Sequence, residues 1–143
     1  MSSKLNEADA ILVGIPTRYG TAAAQMKAFW DATGQHWTKG ALVGKIGSVF
    51  FSTGTQNGGQ ETTALSFYTH FVHHGMLIAP IGYSSPRMFD MTAPHGGSSY
   101  GAGTLAGPDG SRQPSELELE VAEHQGRLVT TYAMQLKKGR AAS

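Results

Sequence analysis

The residues best suited to chemistry lie in a turn rich in glycine, threonine and amides, at positions 52–61. Gly54, Gly58 and Gly59 carry no Cβ, so the backbone there can approach a flat or anionic ligand closely. No Lys-Ser or Lys-Thr pair follows these glycines, which argues against an ATP-type phosphate loop. The pattern predicts a ligand site, with a flexible connection as the alternative. The short hydrogen-bonding residues of this turn are Ser52, Thr53, Thr55, Gln56 and Asn57.

A second group of candidates consists of histidines. His70 and His74 are four residues apart and would share one face of a helix, where they could bind a metal. No third ligand is evident nearby, so we predict no metal site. From the sequence alone, Trp37 can also be interpreted as an ordinary packing residue, and Arg18 as a surface charge.

These residues are interleaved with apolar segments whose patterns predict secondary structure. Continuous apolar runs are typical of strands covered on both faces of a parallel sheet, and apolar residues at helical spacing indicate helices. On the second helix we expect Leu65, Tyr68 or Phe67, and Val72 to lie along one side, with Gly75 as the C-terminal stop. The order predicts an α/β fold with right-handed crossovers. The predicted strands are 10–15, 46–51 and 76–81, and the predicted helices are 21–33 and 60–74.

Two further segments connect or follow these elements. Residues 16–20 are predicted to be a turn, and a loop is expected around Gly34 and Trp37. Residues 82–114 are rich in glycine, serine and proline and show no periodic pattern. They predict a long loop that is functional or contacts another subunit, with partial disorder as the alternative. Ser115 and Glu118 have the spacing of a capping box and predict a last helix.

Composition limits the class of protein. A chain of 143 residues, 40% of them hydrophobic, suits one domain over residues 1–143 with a sizeable core. The net charge of +1 and the short basic segments argue against nucleic-acid binding. The chain contains no cysteine, which excludes disulfides and thiolate metal sites. Because we see neither a signal peptide nor a membrane span, we expect a cytoplasmic protein, with peripheral membrane association left open.

Several motifs, taken in order along the chain, closely resemble those of the WrbA-type NAD(P)H:quinone oxidoreductases. Their residues look most similar to those of plant or fungal members. The resemblance runs from about Ala8 to about Lys137. It implies a flavodoxin-like parallel sheet with flanking helices. The motifs are Pro16–Gly20, Ser52–Asn57, Val72–Met76, Pro80–Tyr83, Gly96–Gly101 and Gly110–Pro114.

The resemblance implies a tetrameric enzyme that passes two electrons from NADH or NADPH through FMN to a quinone. Trp37 and His73 are implied to act in catalysis, in the pocket where nicotinamide or quinone stacks on the flavin. An aromatic face suits a flat quinone, and an imidazole could donate a hydrogen bond to a quinone oxygen. Backbone N–H groups at the flavin edge would stabilise its reduced form. The residues implied to contact FMN are Thr17, Arg18, Tyr19, Ser52, Thr53, Gly54, Thr55, Gln56, Asn57 and His73.

One departure from the family pattern shapes our expectations. Members begin with a strand, a phosphate-binding turn, a helix and a second strand, so we interpret this chain as N-terminally truncated, with strands 3, 4 and 5 of the family order. Strand 10–15 would then form an exposed sheet edge, and FMN would lose its phosphate anchor. We therefore expect weak or no FMN binding by this chain alone. The alternative function is a non-catalytic form that associates with full-length subunits through residues 82–114.

Overall fold

The secondary structure follows the strand–helix alternation expected from the sequence. The structure is a computed structural model, which describes residues 4–142. The helices are α1 (Lys4–Glu7), α2 (Ala24–Asp31), α3 (Gly34–Thr38), α4 (Gln60–His73) and α5 (Glu116–Ala142). The strands are β1 (Ala10–Arg18), β2 (Thr21–Ala22), β3 (Ile46–Thr53), β4 (Leu77–Ile78) and β5 (Gly103–Leu105), and a 3-10 helix spans Pro86–Phe89.

The sheet is mainly parallel and is centred on β3. β1 pairs with β3 in parallel along its length, from Ala10 opposite Ile46 to Pro16 opposite Ser52. β4 and β5 also pair with β3 in parallel, β4 near its start and β5 at its end. Because β1 already occupies one side of β3, β4 and β5 together fill the other side. The mainly parallel sheet with flanking helices agrees with the α/β fold predicted from the sequence.

Helices pack on both faces of this sheet. On one face, Trp30 of α2 meets the rings of Phe67 and Phe71 of α4 in edge-to-face geometry, with centroids 5.7 Å apart in both pairs. A Cβ on Gly47 of β3 would lie 2.6 Å from the Phe71 ring, so the strand needs glycine where α4 packs against it. On the other face, Val129 of α5 is buried against β3.

The first turn and the first long helix differ from the prediction. Residues 16–20 are not simply a turn, because β1 continues to Arg18 and pairs antiparallel with β2; only Tyr19 and Gly20 form the connection. Residues 21–33 are therefore not one helix, and α2 begins at Ala24. The N–H of Ile46 donates to the Asp9 carbonyl, so the odd-numbered residues of β1 direct their backbone hydrogen-bonding groups toward β3. Pro16 is even-numbered, and its nitrogen therefore points away from β3. The strand can therefore pass through this proline without losing a hydrogen bond to β3.

Other boundaries also change. The strand predicted at 76–81 is only two residues long, and the loop around Trp37 contains the helix α3. Residues 82–114 are not structureless, because they contain a 3-10 helix and β5. On α4, Leu65 and Val72 are half or more exposed, whereas Ala64, Phe67, Tyr68 and Phe71 are buried. The prediction was therefore wrong for the two aliphatic residues and right for the aromatic position, since Phe67 and Tyr68 are both buried.

The outer side of β1 is largely open. Within residues 4–142, β1 pairs on that side only at Thr17 and Arg18, with β2. Leu12, in the middle of the open stretch, is 39% exposed. Over the same described residues, none of the helices has the length and apolar character needed to cross a bilayer.

Candidate functional site

The two turns expected to bind a ligand meet at the carboxyl edge of the sheet. Gly59, with φ of 96°, lies so close to the β1–β2 hairpin that a Cβ on it would be 2.8 Å from the Cα of Gly20. The hydroxyl oxygens of Thr17 and Thr63 are 3.0 Å apart and link the hairpin to the start of α4. The chain therefore needs glycine at both turns for them to come together.

The glycine- and threonine-rich turn has a defined shape. Thr53 is buried at the end of β3, and its hydroxyl donates to the carbonyl of Thr55 at 2.7 Å. That carbonyl also accepts the N–H of Gly58 at 3.2 Å. Ser52 is half-buried, whereas residues 54–57 are exposed. These two hydrogen bonds to the Thr55 carbonyl hold the turn in one conformation.

Three backbone donors of this turn have no partner. The N–H groups of Thr55, Gln56 and Asn57 donate to no atom in the described part of the chain. The side chains of Gln56 and Asn57 also line a cavity of about 390 Å³, together with the first turn of α4 and the segment from His95 to Ser98. An exposed row of N–H groups beside a polar cavity suits the carbonyl edge of a flat heterocycle.

The hairpin tip carries two more of the residues predicted to contact FMN. Tyr19 is fully exposed and has φ of 53°, a left-handed conformation that is uncommon for a residue with a side chain. Arg18 is exposed, and its guanidinium donates to the Thr17 carbonyl at 2.9 Å. A cation and an aromatic ring are thus presented beside the glycine- and threonine-rich turn.

Trp37 and His73 lie together in a different place. Both line a cavity of about 280 Å³ between α3 and the end of α4, with His70 and His74. Trp37 is 58% exposed. The helix α4 has 14 residues, so its ends are separated by about 20 Å at 1.5 Å per residue. Within one chain, the structure therefore brings these two side chains together but does not bring them to the turns at the start of α4.

The wall of this second cavity contains a buried imidazole. His74 Nε2 lies 2.8 Å from the hydroxyl of Thr33, which itself donates to the Trp30 carbonyl at 2.6 Å. The hydroxyl must therefore accept from His74, which places the proton of the neutral ring on Nε2. Burial lowers the pKa of His74, and the other histidines of α3 and α4 lower it further. In residues 4–142 the histidines and acids form no cluster able to hold a metal ion.

Two buried polar residues near the carboxyl edge were not predicted as functional. Gln60, the first residue of α4, is 8% exposed and bonds the end of β3, β5 and Gly97. Glu118 is 3% exposed and is also a capping residue of α5, where it accepts the Ser115 N–H at 2.7 Å. The predicted capping box at Ser115 and Glu118 is thus present. The sequence signalled the cap, but nothing in it signalled that either side chain would be buried.

Glu118 joins the long segment to the helix. It accepts the Gly96 N–H at 2.8 Å and pairs with Arg112 at 2.9 Å. It also accepts the hydroxyl of Thr104 at 3.0 Å. Burial acts to raise its pKa, but the hydrogen bonds from Gly96, Ser115 and Arg112 outweigh burial and lower the pKa to about 2. This carboxylate therefore stays charged and holds β5 and residues 94–97 in place.

Comparison with known proteins identifies relatives for nearly the whole chain. The profile of the family described as NADPH-dependent FMN reductase matches residues 1–88. A quinone oxidoreductase, QR2, of Triphysaria versicolor is 55% identical over 94% of this chain and 66% of its own length. An NAD(P)H dehydrogenase (quinone) of Aromatoleum aromaticum is 52% identical over 99% of this chain and 68% of its own length. These matches confirm the resemblance drawn from the motifs.

A solved structure confirms the fold. The chain superposes on a WrbA-like flavodoxin from Agrobacterium tumefaciens with a TM-score of 0.71, covering 93% of this chain and 71% of the other, at 24% identity. The flavodoxin-like fold predicted from the sequence is therefore correct. The chain spans about two thirds of the length of the curated relatives it matches. On these matches, the chain belongs to the NADPH-dependent FMN reductase family.

Proposed function

We propose that this protein works as an FMN-dependent NAD(P)H:quinone oxidoreductase, which reduces quinones to hydroquinones by two electrons. The observation that carries the proposal is the row of unpaired N–H groups at Thr55, Gln56 and Asn57, on a turn that meets the β1–β2 hairpin. The two curated relatives are named a quinone oxidoreductase and an NAD(P)H dehydrogenase (quinone), and these names support the same function.

The residues of the carboxyl edge fit the ring of FMN. Gly54 is exposed, and a Cβ there would contact only the Gly107 carbonyl, at 3.5 Å, so the turn leaves room for a flat ligand. The three N–H groups would bind the polar edge of the ring, and the Arg18–Tyr19 tip would border it. FMN, when bound, supplies the two-electron carrier between nicotinamide and quinone. Preorganised N–H donors favour the extra negative charge of the reduced ring.

We further propose that a complete site needs more than one copy of the chain. Trp37 and His73 share a cavity about 20 Å along α4 from the turns, so they cannot border a flavin held by their own chain. An oligomer, a tetramer by the resemblance, would bring them to the flavin of a neighbouring copy. There Trp37 would stack on a quinone, and His73 would donate a hydrogen bond to its oxygen.

The affinity for FMN is a separate part of the proposal. Over residues 4–142, the two turns offer N–H groups and one guanidinium, Arg18, which already donates to Thr17. Without further charged contacts to the phosphate, we propose that this chain alone binds FMN weakly. The second function, a non-catalytic form that associates with longer subunits, is favoured by the open side of β1. We also propose that the protein is located in the cytoplasm.

Flavin titration tests the function directly. The purified chain is titrated with FMN, followed by flavin fluorescence, and NADPH oxidation with benzoquinone is then measured. Replacement of His73 (His73→Gln) should lower quinone turnover by a larger factor than it weakens FMN binding, whereas the matched change His124→Gln on α5 should alter neither. Absence of flavin binding in a folded chain, even at millimolar FMN, would refute the enzymatic function and support the non-catalytic form.

A further inference from the structure

Two glutamines buried in the interior make the same set of hydrogen bonds. Gln60 on α4 is 8% exposed and Gln125 on α5 is 1% exposed. In each, Nε2 donates two bonds and Oε1 accepts one backbone N–H. Removing such an amide takes away three hydrogen bonds, which is destabilising in either position. The two residues differ in what their partners do.

The partners of Gln125 lie in the middle of the sheet. Its Nε2 donates to the Ser48 hydroxyl at 2.7 Å and the Val49 carbonyl at 2.8 Å. Its Oε1 accepts the Ala102 N–H at 2.8 Å. Gln125 thus joins α5 to the sheet interior, away from the carboxyl-edge turns.

The partners of Gln60 lie at the carboxyl edge. Its Nε2 donates to the Thr53 hydroxyl and to the Thr104 carbonyl, both at 3.0 Å. Its Oε1 accepts the Gly97 N–H at 2.7 Å. Thr53 lies at the start of the glycine- and threonine-rich turn, and Gly97 belongs to a distant segment of the chain that lines the same 390 Å³ cavity as that turn. One side chain therefore ties together two of the segments that line that cavity.

A relay passes from Gln60 into the turn. Since the Thr53 hydroxyl accepts from Gln60, its own hydrogen is directed to the Thr55 carbonyl, 2.7 Å away. That bond fixes the peptide planes next to the unpaired N–H groups. The packing around Gln60 is also tight, because a Cβ on Gly103 would lie 2.7 Å from Oε1. The amide is therefore held in one orientation.

We propose that Gln60 is a positioning residue that sets the conformation of the 52–57 turn, and so the direction of its three free N–H groups toward FMN. This inference rests on the proposed function. Gln60 is 8% exposed and lies in the wall of the 390 Å³ cavity, and its role in the proposal is to orient the Thr53 hydroxyl, which determines where the donors point. Donors fixed before binding lose little conformational freedom when the ligand arrives, which strengthens binding.

The test compares Gln60→Met with Gln125→Met, which removes the same bonds elsewhere. Amide hydrogen exchange is measured by NMR on the chain without flavin, and FMN affinity by fluorescence. Loss of one net hydrogen bond to the turn should accelerate exchange at Gly58 and Gly97 by about tenfold and weaken FMN by about tenfold. Gln125→Met should lower the melting temperature comparably and leave exchange at Gly58 and Gly97 and FMN affinity within about twofold of wild type.

Two further variants separate the relay from folding. Thr53→Val keeps the shape but removes the relay, so exchange should rise at Gly58 and not at Gly97. Gln60→Glu retains the acceptor for Gly97 but removes both donors, so it should behave like Thr53→Val. Unchanged exchange at Gly58 in these variants, or equal acceleration in Gln125→Met, would overturn the proposal. If wild type binds no FMN while the exchange pattern holds, the proposed function fails and the positioning of the turn by Gln60 stands.

Discussion

Replacing Glu118 with glutamine should be among the most damaging conservative changes in this protein. The carboxylate is 3% exposed and accepts N–H groups from Gly96 and Ser115. It also pairs with the Arg112 guanidinium. In Glu118→Gln, the amide NH₂ group would face at least one of these N–H donors, from which it cannot accept a hydrogen bond. Arg112 would also lose its counter-charge. Because the side chain is so well enclosed, solvent relieves little of this loss.

The magnitude can be obtained in two ways. The carboxyl pKa is about 2, against an ordinary value of 4.5, and this difference corresponds to about 3 kcal/mol of unfolding free energy at neutral pH. Removing one partner of a buried ion pair independently gives about 3–5 kcal/mol. We therefore expect Glu118→Gln to lose about 3 kcal/mol of unfolding free energy and about 10 °C in melting temperature.

The assay is urea unfolding at neutral pH, followed by circular dichroism, with Glu116→Gln as the matched control on the exposed side of the same helix. The control should change stability by less than about 0.5 kcal/mol. The wild type should also lose stability as the pH falls from about 4.5 toward 2, because the Glu118 carboxyl is protonated in the unfolded state while it is still ionised in the folded state. In Glu118→Gln that loss of stability should be smaller, because only the other carboxyls with a lowered pKa, Asp9, Asp90 and Asp109, then contribute to it. A cost below about 1 kcal/mol, or an unchanged acid dependence, would show that the network does not act as described.

Three other changes test separate features of the structure. Gly59→Ala should lower the unfolding free energy by at least about 2 kcal/mol, because φ is 96° and the added Cβ would be 2.8 Å from Gly20. Gly126→Ala, in open space on α5, should raise the unfolding free energy by about 0.5–1 kcal/mol, and thermal unfolding of both variants measures the two effects. The lowered pKa of His74 predicts that stability falls as the pH drops below about 6.5, since the unfolded ring takes up a proton first, and His74→Gln should remove this slope in a pH series of melting curves. Tyr68→Phe should lose about 1 kcal/mol with the bond from its hydroxyl to a main-chain carbonyl, seen by urea unfolding, and an unchanged stability would argue against that bond.

Local signals predicted the elements that depend on local chemistry. The apolar runs at 10–15 and 46–51 became β1 and β3, each a few residues longer than predicted. The Ser115–Glu118 spacing gave the start of α5, because a capping box is made within one helical turn. The turn at 52–57 also lies where strand and helix patterns placed it, at the carboxyl edge of the sheet.

Contacts between distant segments could not be predicted in this way. β5 is only three residues long and contains a glycine, and it forms because Phe51 to Thr53 of β3 offer a free side and Glu118 holds the neighbouring backbone. The burial of Gln60 depends on partners from three segments, none of which its neighbours in the sequence reveal. The distance between His73 and the turns, in contrast, was calculable from the predicted helix 60–74, and simple helix geometry places them apart.

The third position of the sheet is filled by two short strands, with residues 79–102 leaving the sheet after β4 and returning at β5. Each of the two is anchored to β3 by its own hydrogen bonds. Residues 96, 97 and 102 of the excursion bond to buried side chains of α4 and α5, but its exposed part around Thr92 can be lengthened without disturbing the register of β1 against β3. Insertion of a fluorescent or affinity peptide near Thr92, which is exposed, should thus be tolerated by the sheet. A protein built this way can acquire new surface at the excursion while its central strands stay the same.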